Sequence, residues 1–217
     1  MLELDACGYV EPANPRWNLT YAQKLEIVRK HRSRWDHPEK VIPTVVGPLP
    51  NEHDATNKFV GGVYVQSMRN PFSLIRQLHF YQLPSPNKGT EYKYWTITDV
   101  GLDARDFGID PEQDLLVLLE GEPGYQHGGT YMVHLRTMST NEAHPKISDG
   151  YSTIVHQHPM ELPRAANVYF EMSGQLLAIL FRSGRRHVQS YVVIWDWTTG
   201  TELSVSRRIC ARMNDCV

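Results

Sequence analysis

The chain has 217 residues, of which 41% are hydrophobic, and its formal net charge is −2. A nearly neutral chain has no overall field that would attract nucleic acid or an anionic membrane, so neither is expected as a partner. The hydrophobic fraction and the five tryptophans are typical of a globular protein. No apolar run reaches the roughly 18 to 20 residues that span a bilayer, and the first residues do not resemble a secretory signal. Three cysteines without compact spacing favour a reducing, intracellular compartment, cytoplasmic or nuclear.

Residues 1–40 differ from the rest of the chain and are predicted to form an N-terminal linker and a helix. Thr20 and Gln23 have the spacing of a capping box, in which a hydroxyl accepts from the third helical amide. Apolar residues then recur at helical spacing and predict a helix over residues 21–35. These residues are Leu25, Val28 and Trp35. The basic side chains on the other faces are interpreted as a solvated surface, because acidic residues interrupt them.

From residue 41 onward, short apolar runs alternate with clusters of Pro, Gly, Asn and Asp, which predicts an all-β region of many short strands. The runs fall into three groups. The first group comprises residues 41–46, 59–66, 73–83 and 92–98, the second 105–109, 115–120, 131–138 and 152–156, and the third 167–171, 176–181, 191–198 and 203–207. Within the first group, residues 74–81 are the predicted match for the third strand of the later groups.

The second and third groups are interpreted as copies of one repeat, with the strand that starts at Tyr131 aligned with the strand that starts at Tyr191. A unit of about 60 residues with four strands suits a β-propeller blade with long loops. Residues 41–217 are therefore predicted to form an incomplete, WD-repeat-like β-propeller of about three blades. Because propellers close with roughly four to eight blades, we expect part of a longer propeller, a truncated product, a fragment, or a chain that pairs with another.

Several short motifs together resemble the fungal F-box protein family, in its linker and propeller-like region. The motif residues are Leu2 to Tyr9 and Trp35; Leu83, Pro84, Ser85, Pro86 and Trp95; Phe107 to Leu116; His134, Leu135, Arg136, Thr140, His144 and Pro145; and Val193 to Trp197 with Gly200. The resemblance implies a substrate receptor of a cullin-RING ubiquitin ligase, whose propeller recruits the protein substrate. The F-box itself is absent from the motifs, so the ligase adaptor is an expected partner only if an F-box is supplied.

Histidine and aspartate side chains are candidates for metal binding or acid–base chemistry, and structural roles are favoured for all of them. Zinc would need three or four converging ligands, but no Cys or acidic residue lies at ligand spacing from the histidines, so no metal is expected. The histidines considered are His127, His134, His144, His156 and His158. Asp196 is interpreted as a turn residue after a buried Trp195, and Asp110 with Asp114 as a hairpin turn. No phosphate-binding loop, dinucleotide fingerprint or nucleophile motif is present, so neither a cofactor nor an enzymatic activity is predicted.

Two loops are the candidate partner-binding sites. One follows the second strand of the second group at residues 121–129, and the other occupies the corresponding place in the third group at residues 182–187. If the repeat is real, both loops lie on the same face, and propeller loops commonly carry contacts. The candidate residues are Tyr125, His127, Arg182, Arg185 and Arg186. The predicted function is a non-enzymatic protein-interaction module; the alternatives are a truncated structural remnant without specific binding and, less favoured, an enzyme on a propeller scaffold.

Overall fold

The computed structural model describes residues 4, 6, 8–9, 19–37, 55–85, 89–121, 129–147, 152–158, 167–182 and 188–210. The chain forms two compact units, residues 1–49 with 86–89 and residues 50–85 with 90–217. The first unit contains the helix α1, Tyr21–Asp36. No helix in the described ranges has the length and apolar character needed to cross a lipid bilayer.

Helix α1 begins with the predicted capping box. The Thr20 hydroxyl accepts a hydrogen bond from the Gln23 amide at 3.4 Å, and the Thr20 amide donates to Gln23 Oε1 at 2.8 Å. These bonds satisfy two of the amides that a helix start leaves unpaired. The helix has no fully buried residue, and its apolar residue Trp35 is exposed. The basic side chains Lys30, Arg32 and Arg34 are exposed as predicted.

The second unit is built from antiparallel strands, which confirms the predicted all-β class. Sheet I contains β1 (Asn57–Val60), β2 (Val63–Arg69), β3 (Ile75–Gln82) and β4 (Lys93–Ile97). Residues 59–66 were predicted as one run, but a turn at Gly61 and Gly62 divides them into β1 and β2. The predicted match at residues 74–81 is the third strand, β3. The predicted run at residues 41–46 lies outside the described residues.

Sheets II and III repeat the same four-stranded antiparallel order. Sheet II contains β5 (Ala104–Asp110), β6 (Leu115–Gly121), β7 (Gly129–Thr137) and β8 (Thr153–His158). Sheet III contains β9 (Asn167–Ser173), β10 (Leu176–Arg182), β11 (Val188–Asp196) and β12 (Thr201–Cys210). All eight strands predicted for these two groups are therefore present. A single pair, Ile75 with Ala104, links β3 to β5, so that sheets I and II are joined at one corner.

The three sheets stack face to face, with sheet II in the middle. Strand β6 shows this most directly, because all five of its residues from Leu115 to Leu119 are buried. Leu115, Val117 and Leu119 pack against sheet III, whereas Leu116 and Leu118 pack against sheet I. The face that sheet III turns toward sheet II consists of Leu177, Ile179, Phe181, Tyr191, Val193 and Trp195. A strand buried on both faces explains the unbroken apolar run in this part of the sequence.

The pairing register corrects the predicted alignment of the repeat. The corresponding cross-strand pairs are Leu119 with Val133 in sheet II and Leu180 with Val192 in sheet III. Tyr131 thus corresponds to Ser190, and its predicted alignment with Tyr191 is wrong by one residue. Because side chains alternate between faces, a slip of one residue exchanges the two faces. Tyr131 points from sheet II toward sheet III, while Tyr191 points from sheet III back toward sheet II.

The first strands of the three sheets, β1, β5 and β9, lie next to one another. Lys58 Nζ in β1 is 3.5 Å from Asp106 Oδ1 in β5 and 5.3 Å from the centre of the Phe170 ring in β9. Burial raises the pKa of the Asp106 carboxyl above its ordinary value, although Lys58 opposes the shift. At Gly108 in β5 the backbone approaches β9 so closely that an added Cβ would lie 2.8 Å from Phe170 Cβ. The sheets therefore converge along these strands.

Candidate interaction surface

The two candidate loops leave from the same end of the stacked sheets. In sheet II the loop joins Gly121 at the end of β6 to Gly129 at the start of β7. In sheet III it joins the end of β10 to the start of β11. The rings of Tyr131 and Phe181, which flank the two loops, have centroids 5.0 Å apart. The ends of both loops are therefore neighbours, and together they define the candidate interaction surface.

One of the five predicted contact residues lies within the described strands. Arg182 is the last residue of β10, where it pairs with Ser190 and Asn167, and it is half-buried. The other four predicted contact residues lie outside the described residues. They are Tyr125, His127, Arg185 and Arg186.

Gly121 controls how the chain enters the first loop. Its φ of 151° belongs to a region that favours glycine, and an added Cβ would lie 2.5 Å from the Thr130 carbonyl oxygen. The glycine lets the ends of β6 and β7 approach closely at the base of the loop. A larger residue here would force the two strand ends apart.

A buried cluster of aromatic and titratable side chains lies beneath this surface, between sheets II and III. His156 in β8 packs against the Tyr191 and Trp195 rings, with centroids 5.8 Å and 5.4 Å away. Its Nδ1 lies 3.4 Å from Glu202 Oε2 in β12. Burial lowers the pKa of His156, while the Glu202 carboxylate acts in the opposite direction. Burial also raises the pKa of the Tyr131 and Tyr191 phenols.

The low pKa of His156 predicts that acid destabilises the fold. Because the folded-state pKa lies below the ordinary 6.5, the unfolded chain binds more protons than the folded chain as the pH falls below 6.5. The free energy of unfolding should then fall by up to about 1.4 kcal/mol per pH unit between pH 6.5 and the folded-state pKa. The free energy of unfolding, measured with urea at several pH values in this range, should depend less steeply on pH in His156→Phe, because the Phe ring cannot be protonated. Identical slopes for the two proteins would contradict this assignment.

Two further histidines, His134 and His144, make hydrogen bonds to neighbouring segments. His134 Nε2 is 2.9 Å from Glu120 Oε2, and its Nδ1 is 3.0 Å from Thr153 Oγ1. His144 is buried against the edge of Trp197, and its Nε2 lies 2.9 Å from the Gln113 carbonyl oxygen. Within the described ranges, no three His, Cys, Asp or Glu side chains are grouped to hold a metal ion. His127 lies outside these ranges.

The aspartates considered as candidate acids have turn roles, as predicted. Asp196 Oδ1 accepts from the Thr198 amide at 2.9 Å and from the Thr198 hydroxyl at 2.6 Å. The Thr198 hydroxyl bond lowers the pKa of the Asp196 carboxyl. Asp110 Oδ1 accepts from the amide of Glu112 at 3.0 Å. Asp114 Oδ1 accepts from the Ser139 amide at 2.9 Å. These bonds fix turns at the end of the sheets opposite the candidate loops.

Sequence reasoning located the loops but missed the cluster beneath them. Nothing in the sequence linked His156 to Glu202, because 46 residues separate them and no motif contains both. Loops that join packed strands can contact a protein partner without any catalytic group. No protein-family model and no curated protein sequence matches this chain.

Proposed function

We propose that this chain is a non-enzymatic protein-interaction module with a β-propeller-type arrangement. It resembles the substrate-recognition region of an F-box receptor of a cullin-RING ubiquitin ligase. The observation that carries the proposal is the repetition of one four-stranded antiparallel unit in three consecutive, stacked sheets. The candidate interaction surface, on the loops that follow β6 and β10, would recruit the protein partner.

The arrangement of strands supports the propeller-type fold. Each unit runs in simple sequence order from its first strand to its fourth. The first strands β1, β5 and β9 are neighbours, as the strands nearest the axis of a propeller are. The outer face of sheet III carries the exposed apolar residues Leu176 and Tyr169, which is consistent with a ring that other sheets complete.

The motifs behind the F-box resemblance support a scaffold role for the sheets. Trp195 is buried between sheets II and III, and Phe107 is buried between sheets I and II. Trp95 stacks on Phe80 with ring centroids 5.0 Å apart. Because these residues hold the sheets together, specificity is left to the loops.

Affinity capture of the tagged full chain tests the role of the loops. A variant combining Tyr125→Ala, His127→Ala, Arg185→Ala and Arg186→Ala should bind a captured and then purified partner at least tenfold more weakly, a loss of about 1.4 kcal/mol. The matched control combines Glu112→Ala and Thr199→Ala, exposed residues in turns at the opposite end, and should bind as the wild type does. An equal loss of partner affinity in both variants, or no loss in either variant, would contradict the proposed surface.

A second experiment tests the relation to the ligase. The purified chain should not bind the ligase adaptor, whereas a fusion carrying an F-box should bind it and support ubiquitination of the captured partner. Adaptor binding by the chain without an added F-box would show that docking uses another surface. Failure of the F-box fusion to modify the partner would argue against a receptor role.

A further inference from the structure

The charge of this chain is unevenly distributed, and helix α1 carries the excess of cations. The helix has five Lys and Arg residues and two acidic residues, so its net charge is +3 with neutral histidine. Since the whole chain carries −2, the residues outside the helix together carry −5. Four of the five cations lie within residues 29–34, and residues 27–35 contain no Asp or Glu. The near-neutral total, from which no nucleic-acid partner is expected, therefore hides a basic segment whose local field attracts anions.

The second half of α1 is accessible from every side. Every residue from Arg29 to His37 is exposed, whereas Leu25, Ile27 and Val28 in the first half are half-buried. The side of a helix that packs on its own protein carries apolar residues, and residues 29–34 contain none. Exposure and composition therefore agree that this half of the helix faces outward.

The cations of this segment lie on opposite sides of the helix. At about 100° per residue, Lys30 and Arg34 share one side, whereas Arg32 lies about 160° away from each of them. A flat anionic surface, such as a lipid bilayer or an acidic protein face, could contact only one of these sides. A groove with a row of negative charges along each wall could contact both sides at once.

We propose that the second half of α1 docks in the major groove of double-stranded DNA. Lys30 and Arg34 contact phosphates of one strand, and Arg32 contacts phosphates of the other. A helix with its side chains is about 10 to 12 Å across, and the major groove is about 12 Å wide. Phosphate contacts carry no sequence information, so duplexes of any sequence should bind. The contact uses none of the loops of the candidate interaction surface and does not depend on the function proposed above.

Trp35 adds an apolar contact at the end of the basic segment. Its side chain is 73% exposed, and its Nε1 donates a hydrogen bond to His31 Nε2 at 2.9 Å. This bond satisfies the indole N–H within the helix, so the ring is held on the helix surface without being buried. Trp35 follows Arg32 by three residues and lies about 60° from it around the axis. In the groove its ring would lie against the sugars or base edges on the side that Arg32 contacts.

Fluorescence anisotropy of a short labelled DNA duplex, titrated with the purified full chain, tests the proposal. We expect a dissociation constant of roughly 1 to 100 µM in about 50 mM salt, and about fortyfold weaker binding in about 200 mM salt if three phosphates are contacted. A variant combining Lys30→Gln, Arg32→Gln and Arg34→Gln should lose this salt-dependent binding. Glutamine keeps a helix propensity close to that of Lys and Arg, so the circular dichroism spectrum should not change.

The matched control removes the same amount of charge from the sheets. It combines Arg76→Gln, Lys93→Gln and Lys146→Gln, of which Lys93 and Lys146 are exposed, and it should bind the duplex nearly as the wild type does. The absence of duplex binding by the wild type in about 50 mM salt, or an equal loss in the two triple variants, would overturn the proposal.

Further comparisons separate a groove from a flat anionic surface. The double variant Lys30→Gln with Arg34→Gln and the single variant Arg32→Gln should each weaken duplex binding, because each removes the contacts to one strand. Wild-type affinity in either of them would show that only one side of the helix is used, and the groove would be wrong. Tighter binding to single-stranded DNA, to duplex RNA or to phosphatidylserine vesicles than to duplex DNA would also refute the proposed partner.

Discussion

Replacing Trp195 by alanine should lower the free energy of unfolding by about 3 to 5 kcal/mol. The side chain is 1% exposed, faces sheet II from near the end of β11, and meets the edge of the His156 ring. Its removal would leave a cavity in the packed layer between sheets II and III, which closely packed neighbours such as Leu177 and Val193 can fill only in part. Urea unfolding followed by the β-sheet circular dichroism band would measure the loss.

Trp35→Ala is the matched control for this substitution. It removes the same side chain from an exposed position on α1, and such changes stay within about 0.5 kcal/mol. Comparable losses for the two variants would show that Trp195 is not part of a packed interface between sheets.

Substituting alanine for Gly108 should destabilise the chain by about 1 to 3 kcal/mol, although only a methyl group is added. The new Cβ would lie 2.8 Å from Phe170 Cβ and 2.9 Å from Phe170 Cγ. The Cβ of Phe170 is fixed by the backbone of β9, so relief requires the two strands to separate. Thermal unfolding of the purified variant would report the change as a lower midpoint temperature.

A double-mutant cycle with Phe170→Ala tests whether the contact is the cause. In the Phe170→Ala background the Cγ contact is gone, so Gly108→Ala should cost less than in the wild type. The interaction energy should lie in the range of about 0.5 to 3 kcal/mol found for touching residues. Strictly additive losses would place the effect of Gly108→Ala somewhere other than this contact.

Local patterns in the sequence predicted the strands well. The turn residues around Asp110 and Gly174, together with runs of β-branched and aromatic residues, marked the strands of sheets II and III to within a few residues. In sheet I the apolar residues on both sides of Gly61 and Gly62 predict one run over residues 59–66, whereas the two glycines form the turn between β1 and β2. Whether a segment forms a strand depends largely on its local sequence, so the errors in this prediction concern where the strands begin and end.

The alignment of the repeat failed for a different physical reason. Tyr131 and Tyr191 both begin apolar alternations, and the residue types in these stretches do not reveal which sheet each alternation faces. Pairing with β6 and β10 decides that question, and pairing is not local. The sequence also could not predict the contact between His156 and Glu202 or the approach of Gly108 to Phe170. They depend on how sheets stack, which no short motif encodes.

The positions of the two candidate loops, in contrast, could be predicted from the sequence. Their positions followed from the spacing of the strands, and the contact between Tyr131 and Phe181 joins their ends. The shared register of β6 and β10 explains why this prediction survived an error in aligning β7 with β11. The second strands were aligned correctly, and the loops follow them directly.

The burial of β6 on both faces also makes this segment an aggregation hazard. Leu115 to Leu119 is a run of five apolar residues without charge, proline or glycine, the composition that favours cross-β assembly when it is exposed. The run is flanked by Asp114 and Glu120, whose carboxylates accept hydrogen bonds from Ser139 and contact His134. These two acids serve as gatekeepers on either side of the run. Newly synthesised chains must therefore cover β6 with both neighbouring sheets before two such segments meet.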